Sequence, residues 1–310
     1  MFVSIVIPTF NRKPILEKCL VALENQVLDS SVDGYEVIVV DDGSTDGTPA
    51  WIKSQTNRFA HVRLVEQEHG GPAQGRNRGV DHSIGEVIIF IDSDLVVTKS
   101  FVTSHVKALC RSWKNQGDRN SFTYGAVINT ANFENPTSEP HKIRDLSWAY
   151  FATGNVAIDK NVLELSGLFD EGFRLYGWED LELGERLRKM GVKLVKCPKA
   201  VGYHWHPALT LAQIPDLIRV ERERAKMGLV FFRKHPTLRV RLIIQFTWVH
   251  FFLWEILTIR GMLNERSLRP LLAFLIRNGY SGLAMELLRI PLNRIGVREL
   301  FREAAKSGYF

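Results

Sequence analysis

Five apolar residues run directly into two carboxylates at Val87-Ile88-Ile89-Phe90-Ile91-Asp92-Ser93-Asp94. An apolar run of this length, rich in β-branched residues, predicts a strand buried on both faces of a parallel sheet. Two carboxylates spaced i, i+2 at a buried strand end would repel each other unless a cation lies between them. A hard divalent ion with oxygen ligands, Mn²⁺ or Mg²⁺, fits this pattern. The alternative interpretation of an isolated Asp-x-Asp is a solvated turn.

Strands and helices alternate on both sides of this run. Further strands are predicted at residues 3–7, 36–40, 62–65, 124–128 and 193–196, and helices at residues 13–25, 47–55, 72–82 and 99–113. This repetition predicts an α/β protein with a doubly wound, mostly parallel sheet whose ligands bind at the carboxyl ends of the strands. The polar segment 129–144, which contains Pro136 and Pro140, is predicted to be a loop near the substrate.

The composition changes at about residue 206. Hydrophobic residues make up 45% of the 310-residue chain, which is enough for a sizeable core. Residues 207–310 carry 17 Lys and Arg against 8 Asp and Glu, whereas the first 206 residues carry 23 basic and 26 acidic residues. We therefore predict an α/β domain at 1–206 and a basic, apolar helical extension at 207–310. This distribution argues against a nucleic-acid-binding protein, whose basic residues would line one face.

Two further acidic motifs lie at predicted element boundaries. Asp41-Asp42-Gly43-Ser44 directly follows a strand, where a carboxylate can accept hydrogen bonds from a base or ribose. The alternative for this motif is a turn with a helix cap. Gly177-Trp178-Glu179-Asp180 begins a predicted helix, whose dipole stabilises carboxylates and keeps one ionised for use as a general base. Trp178 offers a surface for sugar stacking, or else belongs to the core.

Two weaker motifs carry basic side chains. A Gly-rich loop, His69-Gly70-Gly71-Pro72-Ala73-Gln74-Gly75-Arg76-Asn77, leads into a helix, and Arg76 is suited to pairing with a phosphate or a base. Its glycine spacing differs from the dinucleotide-binding fingerprint. His204-Trp205-His206 follows the last predicted strand. One of these histidines could complete a metal site, although a lone histidine is more often structural.

Taken in order, these motifs resemble those of glycosyltransferase family 2. The set is Ile7-Pro8-Thr9-Phe10-Asn11-Arg12, Asp41-Asp42-Gly43-Ser44, Arg76-Asn77, Asp92-x-Asp94, Thr153-Gly154-Asn155 and Trp178-Glu179-Asp180. The resemblance covers residues 1–206 and implies a GT-A type fold, with a nucleotide-binding half at 1–98 and an acceptor half at 99–206. The Gly-Trp-Glu-Asp segment also resembles the acceptor-side motif of galactosyl- and N-acetylgalactosaminyltransferases.

The resemblance implies a role for each matching residue. The nucleotide would be bound by Pro8, Thr9, Asp41, Asp42, Arg76 and Asp92. Asp94, with Asp92, would hold a divalent metal, Mn or Mg, that bridges the diphosphate. His204 would be the third ligand, because Tyr203-His204 matches a Tyr-His of related chondroitin-type enzymes, and His206 is the alternative. Asp180 would be the catalytic base, and the acceptor would be bound by Glu179, Trp178, Gly154 and Asn155.

The implied activity is inverting transfer of a sugar from a nucleoside diphosphate sugar, with UDP as the expected nucleotide, to a hydroxyl of a glycan or a lipid-linked saccharide. A Gln-x-x-Arg-Trp motif is missing from the sequence, which favours addition of single sugars over processive synthesis. Two other functions stay open. A nucleotidyltransferase would need a basic triphosphate loop where only Arg12 and Lys13 stand. The second is a non-catalytic nucleotide-sugar-binding protein.

The C-terminal extension contains a candidate membrane contact. Residues 242–259 include five aromatic residues and are flanked by Arg239, Arg241 and Arg260. They predict a weakly amphipathic helix that lies in the interface at the cytoplasmic face of a membrane, since Glu255 disfavours a spanning helix. The alternatives are packing on the catalytic domain and a dimer contact. Three widely separated cysteines and an N-terminal apolar run too short for a signal peptide favour the cytoplasm.

Overall fold

The computed structural model describes residues 1–139 and 150–309. The chain divides into two compact units, one of Met1–Arg174 and Glu179–His206, the other of Leu175–Trp178 and Pro207–Phe310. The first unit contains the sheet, and the second is helical. In the predicted polar loop, Pro136–Ser138 form a short 3-10 helix, and residues 140–144 lie outside the described residues.

The first unit is built on one mixed sheet, in which the described residues form eight strands. The strands are β1 (Phe2–Thr9), β2 (Gly34–Asp41), β3 (Val62–Glu66), β4 (Val87–Ile91), β5 (Leu95–Val97), β6 (Ser121–Thr130), β7 (Asn155–Asp159) and β8 (Lys193–Trp205). Their order is β3-β2-β1-β4-β7-β6-β8-β5. Strands β1 to β4 are parallel and so is the pair β6–β8, whereas β7 runs antiparallel to β4 and β6, and β5 antiparallel to β8. The curled sheet with flanking helices confirms the predicted α/β class.

Helices flank the sheet in the first unit and form the second. Those of the first unit are α1 (Lys13–Glu24), α2 (Thr48–Ser54), α3 (Pro72–Asp81), α4 (Phe101–Gln116), α5 (Lys160–Leu165) and α6 (Glu179–Lys189). Those of the second are α7 (Ile214–Lys234), α8 (Leu238–Ile243), α9 (Trp248–Leu257), α10 (Glu265–Arg277) and α11 (Ser281–Lys306). A proline in the first turn starts α1 and α3, where its missing N–H costs no helical hydrogen bond.

The central strand β4 is buried on both faces. Val87, Ile89 and Ile91 belong to one hydrophobic cluster, and Ile88 and Phe90 to another, because successive side chains of a strand point to opposite faces. Both layers of the core therefore meet at this strand, and its carboxyl end carries Asp92 and Asp94.

Close packing places α3 against β1. A Cβ on Gly79 would lie 2.3 Å from Val6 Cγ1, and one on Gly75 would lie 3.3 Å from Pro8 Cβ. Glycine at these two positions lets the helix backbone approach the strand. Pro8, predicted to bind the nucleotide, therefore lies against α3 at the same edge of the sheet as Arg76.

The predicted continuous helix at residues 242–259 is wrong, because the chain leaves helical geometry between α8 and α9. Gln245 adopts a left-handed conformation with φ of 61°, and its Oε1 accepts a hydrogen bond of 2.6 Å from Trp254 Nε1. Phe246 turns into the core of the second unit and is 2% exposed. After α9, Ile259 and Arg260 are also left-handed, with φ of 50° and 52°.

Candidate functional site

Unpaired polar atoms collect at the carboxyl ends of β1 to β4. Among the described residues, eight buried side-chain polar atoms have no hydrogen-bond partner. Six of them are at this edge or contact it: Thr9 Oγ1, Asp41 Oδ2, Gln67 Oε1, Arg76 Nε, Asp94 Oδ1 and Glu179 Oε2. Buried polar groups are nearly always hydrogen-bonded in a folded protein. The concentration of exceptions here indicates a site built for a polar ligand.

Thr9 and Asp41 form the part of this site that was predicted to bind the nucleotide. They are register partners at the ends of β1 and β2, so their side chains lie side by side. Asp41 Oδ1 accepts a 2.9 Å hydrogen bond from the Ser44 backbone N–H, which fixes the carboxylate. Asp41 Oδ2 and Thr9 Oγ1 are left without partners, so Asp41 can accept a hydrogen bond from a ligand and the Thr9 hydroxyl can donate or accept one.

Asp42 positions the Gly-rich loop. Its carboxylate accepts hydrogen bonds from the backbone N–H groups of Gly70 and Gly71, at 2.8 and 3.0 Å, and from Gln67 Nε2 at 2.7 Å. His69 Nδ1 lies 2.9 Å from Asp42 Oδ2. These contacts occupy both oxygens of Asp42 and hold the Gly-rich loop beside Asp41. In this arrangement, Asp42 has no free carboxylate oxygen for the direct nucleotide contact that the sequence predicts.

Arg76 links two groups of carboxylates. Its guanidinium is buried and donates to Glu179 Oε1 at 2.8 Å and to Asp92 Oδ1 at 3.4 Å. We predicted that Arg76 contacts the nucleoside, but its terminal nitrogens are engaged with these two acids. Arg76 therefore couples the end of β4 to the start of α6.

Asp92, Asp94 and His204 form the cluster that could hold a metal. Their ligand atoms all lie within 4.8 Å of one another, and His206 is not part of the cluster in the described residues. Asp94 Oδ1 and His204 Nε2 are 2.8 Å apart, the separation of an ion pair. Two carboxylates and one imidazole brought this close fit a divalent cation such as Mn²⁺.

The surrounding charges favour the ionised forms of Asp94 and His204. Burial alone would raise the pKa of Asp94, but His204 and Arg12 outweigh it, so this pKa is lowered. Burial would lower the pKa of His204, and the ion pair with Asp94 raises it instead. Arg12 Nη1 lies 3.1 Å from Asp94 Oδ2. Arg12, and His204 when it is protonated, thus offset the negative charge of Asp94.

Gly154 borders the cluster. A Cβ at Gly154 would lie 3.1 Å from Asp92 Oδ2, closer than an ordinary van der Waals contact. A side chain here would press on the carboxylate, so glycine leaves the Asp92 oxygens accessible. Gly154, which was predicted to contact the acceptor, therefore lies beside the cluster of Asp92, Asp94 and His204.

Asp180, in the first turn of α6, is a carboxylate with an altered acidity. Burial raises the pKa of Asp180 to about 7, the negative charge of Glu179 adds to this, and Arg76 opposes it. Asp180 Oδ1 accepts a 2.7 Å hydrogen bond from the Leu181 backbone N–H. A carboxylate that titrates near neutral pH is suited to remove a proton from a hydroxyl.

Asn155 has a structural role, which corrects the prediction that it binds the acceptor. It is fully buried at the start of β7, and its Nδ2 donates to the carbonyls of Ala126 and Ala200, each at 3.0 Å. These carbonyls lie where the register of β6 and β8 shifts after Gly125. Asn155 Oδ1 lies 2.8 Å from His105 Nε2. Every polar atom of the side chain is therefore used inside the sheet.

His105, the partner of Asn155, makes the fold sensitive to acid. Burial lowers the pKa of His105 to about 4, below its usual 6.5, so the folded protein binds this proton less tightly than the unfolded chain. Stability is therefore retained above pH 6.5 and is lost as the pH falls towards 4. We expect His105→Gln to reduce the loss between pH 7 and pH 4 by up to about 3 kcal/mol.

Urea unfolding at a series of pH values measures this effect. The matched control is His82→Gln, at a partly exposed histidine of the first unit. An equal pH dependence in wild type and His105→Gln would show that His105 does not titrate in this range.

Trp178 packs inside the second unit, which corrects the prediction that it stacks on a sugar. Its side chain is 9% exposed, and its Nε1 donates to the Arg224 carbonyl at 2.7 Å. The Arg224 guanidinium lies over the ring, 4.6 Å from its centroid, and Phe231 stacks near it. The sequence allowed this second interpretation, and the contacts support it.

Sequence reasoning missed three residues of the site. Gln67 directly follows β3 and carries an unpaired Oε1, Arg12 pairs with Asp94, and Phe10 is 42% exposed beside His69, with ring centroids 4.4 Å apart. The position of each just after a strand was the available signal. Polar and aromatic side chains at the carboxyl ends of parallel strands are candidates for ligand contact.

Known proteins share this sequence pattern. The glycosyl transferase family 2 profile matches residues 4–164. An uncharacterized glycosyltransferase, YfnE of Bacillus subtilis, is 29% identical over 245 residues, which are 62% of this chain and 62% of that protein. Hyaluronan synthase of Pasteurella multocida is 29% identical over 66% of this chain and 24% of the synthase. The chain thus spans less than two thirds of the length of these relatives.

A solved structure shares the fold. The mannosyltransferase PcManGT from Pyrobaculum calidifontis, in complex with GDP-Man and Mn²⁺, aligns with 97% of this chain and 87% of its own, with a TM-score of 0.60 and 19% identity. At this identity the likeness supports a GT-A fold. The family profile covers more than half of the chain and includes Thr9, Asp41, Arg76 and Asp94. The chain therefore belongs to glycosyltransferase family 2.

Proposed function

We propose that this protein is a metal-dependent, inverting glycosyltransferase that uses a nucleoside diphosphate sugar. The observation that carries the proposal is the cluster of Asp92, Asp94 and His204, whose ligand atoms lie within 4.8 Å of one another at the end of β4. A divalent cation held there would supply positive charge to the diphosphate leaving group. PcManGT, which shares the fold, was solved with GDP-Man and Mn²⁺.

Thr9 and Asp41 are the proposed contacts for the nucleoside. Both carry buried oxygens without partners, and Asp42 holds the Gly-rich loop beside them. Phe10 and His69 form an exposed aromatic pair next to Asp42 that could cover a base. A UDP-sugar is the expected donor, and GDP- and TDP-sugars are the alternatives.

Asp180 is the proposed base, and its burial raises its pKa to about 7, near neutral pH. Its carboxylate would take the proton from an acceptor hydroxyl while the acceptor oxygen bonds to the anomeric carbon. The bond between that carbon and the donor phosphate oxygen breaks, and the nucleoside diphosphate leaves from the opposite face. The anomeric configuration is therefore inverted. Preorganised positions of base and donor supply much of the acceleration.

Glu179 is the proposed acceptor contact. Its Oε1 accepts a hydrogen bond from Arg76, which fixes the carboxylate, and its Oε2 is buried without a hydrogen-bond partner. A hydroxyl of a sugar is a fitting donor for such an oxygen. We propose a glycan or lipid-linked saccharide as the acceptor, to which single sugars are added.

Metal-dependent binding of the donor tests the proposal. In a thermal-shift panel of UDP-, GDP- and TDP-sugars, we expect one nucleotide to raise Tm by about 5 °C or more at saturating concentration, and only with Mn²⁺ present. Mn²⁺ alone and the free nucleoside are the controls. Equal shifts with Mn²⁺ and with a chelator would contradict a metal-bridged diphosphate.

A further inference from the structure

Helix α9 turns its apolar side to solvent. Six large apolar side chains of α9 are 43–75% exposed: Trp248, Val249, Phe252, Leu253, Ile256 and Leu257. Among the described residues of this unit, α9 stands out because none of its ten residues is buried. We call these six side chains the α9 apolar face. An exposed apolar patch of contiguous side chains usually marks an interaction site.

The opposite side of α9 is fixed by polar and aromatic contacts with α11. Glu255 Oε1 accepts hydrogen bonds from Arg294 and Arg298, at 2.9 and 2.5 Å. Phe251 packs on Phe301 with ring centroids 5.2 Å apart. Rotating the helix to bury its apolar face would break this double ion pair and leave Glu255 unpaired. The outward orientation of the face is therefore built into the second unit.

Exposed apolar side chains continue along the chain beyond α9. Ile259 and Met262 follow the helix, and Leu271 and Phe274 belong to α10, with exposures of 45–72%. Aliphatic and aromatic residues dominate this set, while the loop between α9 and α10 contributes the exposed Arg260. The second unit thus presents apolar and basic groups from the same segment.

The charge of this segment indicates an anionic occupant. Residues 238–280 carry six arginines and two glutamates, and one of those glutamates, Glu255, is paired with α11. Arg260, Arg266, Arg269 and Arg277 are exposed. In a bilayer with anionic lipids, the apolar side chains would contact the acyl chains and the arginines would contact the headgroups.

The geometry favours a surface location over a crossing. Leu238–Leu257 has the length and mean hydropathy, 1.4, of a membrane-crossing helix, and 17% of it is buried. The break between α8 and α9 divides this stretch, however, and α9 has only 10 residues. At 1.5 Å per residue it is about 15 Å long, half of the roughly 30 Å needed to cross a bilayer.

We propose that the α9 apolar face inserts into the surface of an anionic phospholipid bilayer and holds the protein there peripherally. This attachment is independent of the proposed transfer reaction, because α9 contributes no residue to the candidate site. It places the protein where a lipid-linked acceptor would be presented.

Vesicle flotation of the full chain tests the attachment. We expect the protein to float with vesicles that contain phosphatidylglycerol, and more weakly with phosphatidylcholine alone or at high ionic strength. The double variant Val249→Asp/Ile256→Asp should lower the partition coefficient at least about tenfold, since carboxylates resist entry into the bilayer. Arg266→Gln/Arg269→Gln should lower it roughly tenfold on anionic vesicles only.

Matched controls separate insertion from general effects of added charge. Ile84→Asp/Leu165→Asp changes two side chains of the first unit that are 70% and 78% exposed, and it should float like wild type. A double α9 variant that floats as well as wild type would overturn the proposal. So would a wild-type chain that does not float but forms a dimer that Val249→Asp/Ile256→Asp dissociates, because the face would then bind a second copy.

Discussion

Asp180→Asn is expected to lower the turnover rate by about 10²–10⁴-fold, the usual range for loss of a general base. The amide keeps the size of the side chain but cannot accept the proton of the acceptor hydroxyl. Donor binding should be unchanged, because the base acts on the acceptor. Steady-state kinetics and the Mn²⁺-dependent thermal shift measure the two effects separately. A variant that loses donor binding but keeps its rate would contradict this role.

The pH profile gives this prediction a sharper form. Because burial and Glu179 raise the pKa of Asp180 to about 7, the wild-type rate should rise with pH through this value as Asp180 loses its proton. Glu179→Gln removes the charge that contributes to the rise, so the acid limb should shift to lower pH. Glu164→Gln, the same exchange at an exposed residue of α5, is the control. If the acid limb of the pH–rate profile does not shift in Glu179→Gln, a group other than Asp180 controls it.

Asp94→Ala is expected to reduce kcat/KM by at least about 10²-fold, since a bound cation stabilises the leaving group by several kcal/mol. Asp94→Ala also removes the ion pairs with Arg12 and His204, so unfolding is measured alongside activity to show that the variant is folded. Chelator should reduce wild type to the same level. Mn²⁺ should then restore wild type and leave the variant inactive. Full activity of Asp94→Ala would remove this residue from the metal site.

The strands with strong apolar patterns could be predicted from the sequence. β1, β2, β3 and β4 all appear where apolar, β-branched runs predict them, although β3 is an edge strand and only its Val65 is buried. β5 has three residues and directly follows the turn at Asp94, so its pattern is too short to recognise. β7 runs antiparallel between β4 and β6, and only the tertiary pairing reveals this insertion into the parallel part of the sheet.

The break between α8 and α9 falls at Gln245, a polar residue inside the apolar stretch 242–259. The structure places Gln245 in a left-handed turn, where its side chain accepts a hydrogen bond from Trp254. Glu255, on the polar side of α9, pairs with arginines of α11. An amphipathic pattern identifies the apolar and polar sides of a helix, but it does not show which side packs against the rest of the protein.

The site was predicted residue by residue with uneven results. Asp92, Asp94 and His204 do lie together, since strand ends converge at one edge of the sheet. Asn155 was placed with the acceptor because the motif gives its position but not its orientation, and its side chain points to the bulge in β6 and β8. Arg76 pairs with two acids, one of them 103 residues away in sequence, which no local pattern shows.

Release of nucleoside diphosphate from a panel of nucleotide sugars tests the central claim most directly. With Mn²⁺ and the full chain, we expect one donor to yield its nucleoside diphosphate, and the yield to vanish with chelator and in Asp94→Ala. Nucleoside triphosphates with sugar phosphates are included in the panel as the substrates of a nucleotidyltransferase. Release of pyrophosphate from these, or donor binding with no diphosphate release from any nucleotide sugar, would contradict a metal-dependent glycosyltransferase.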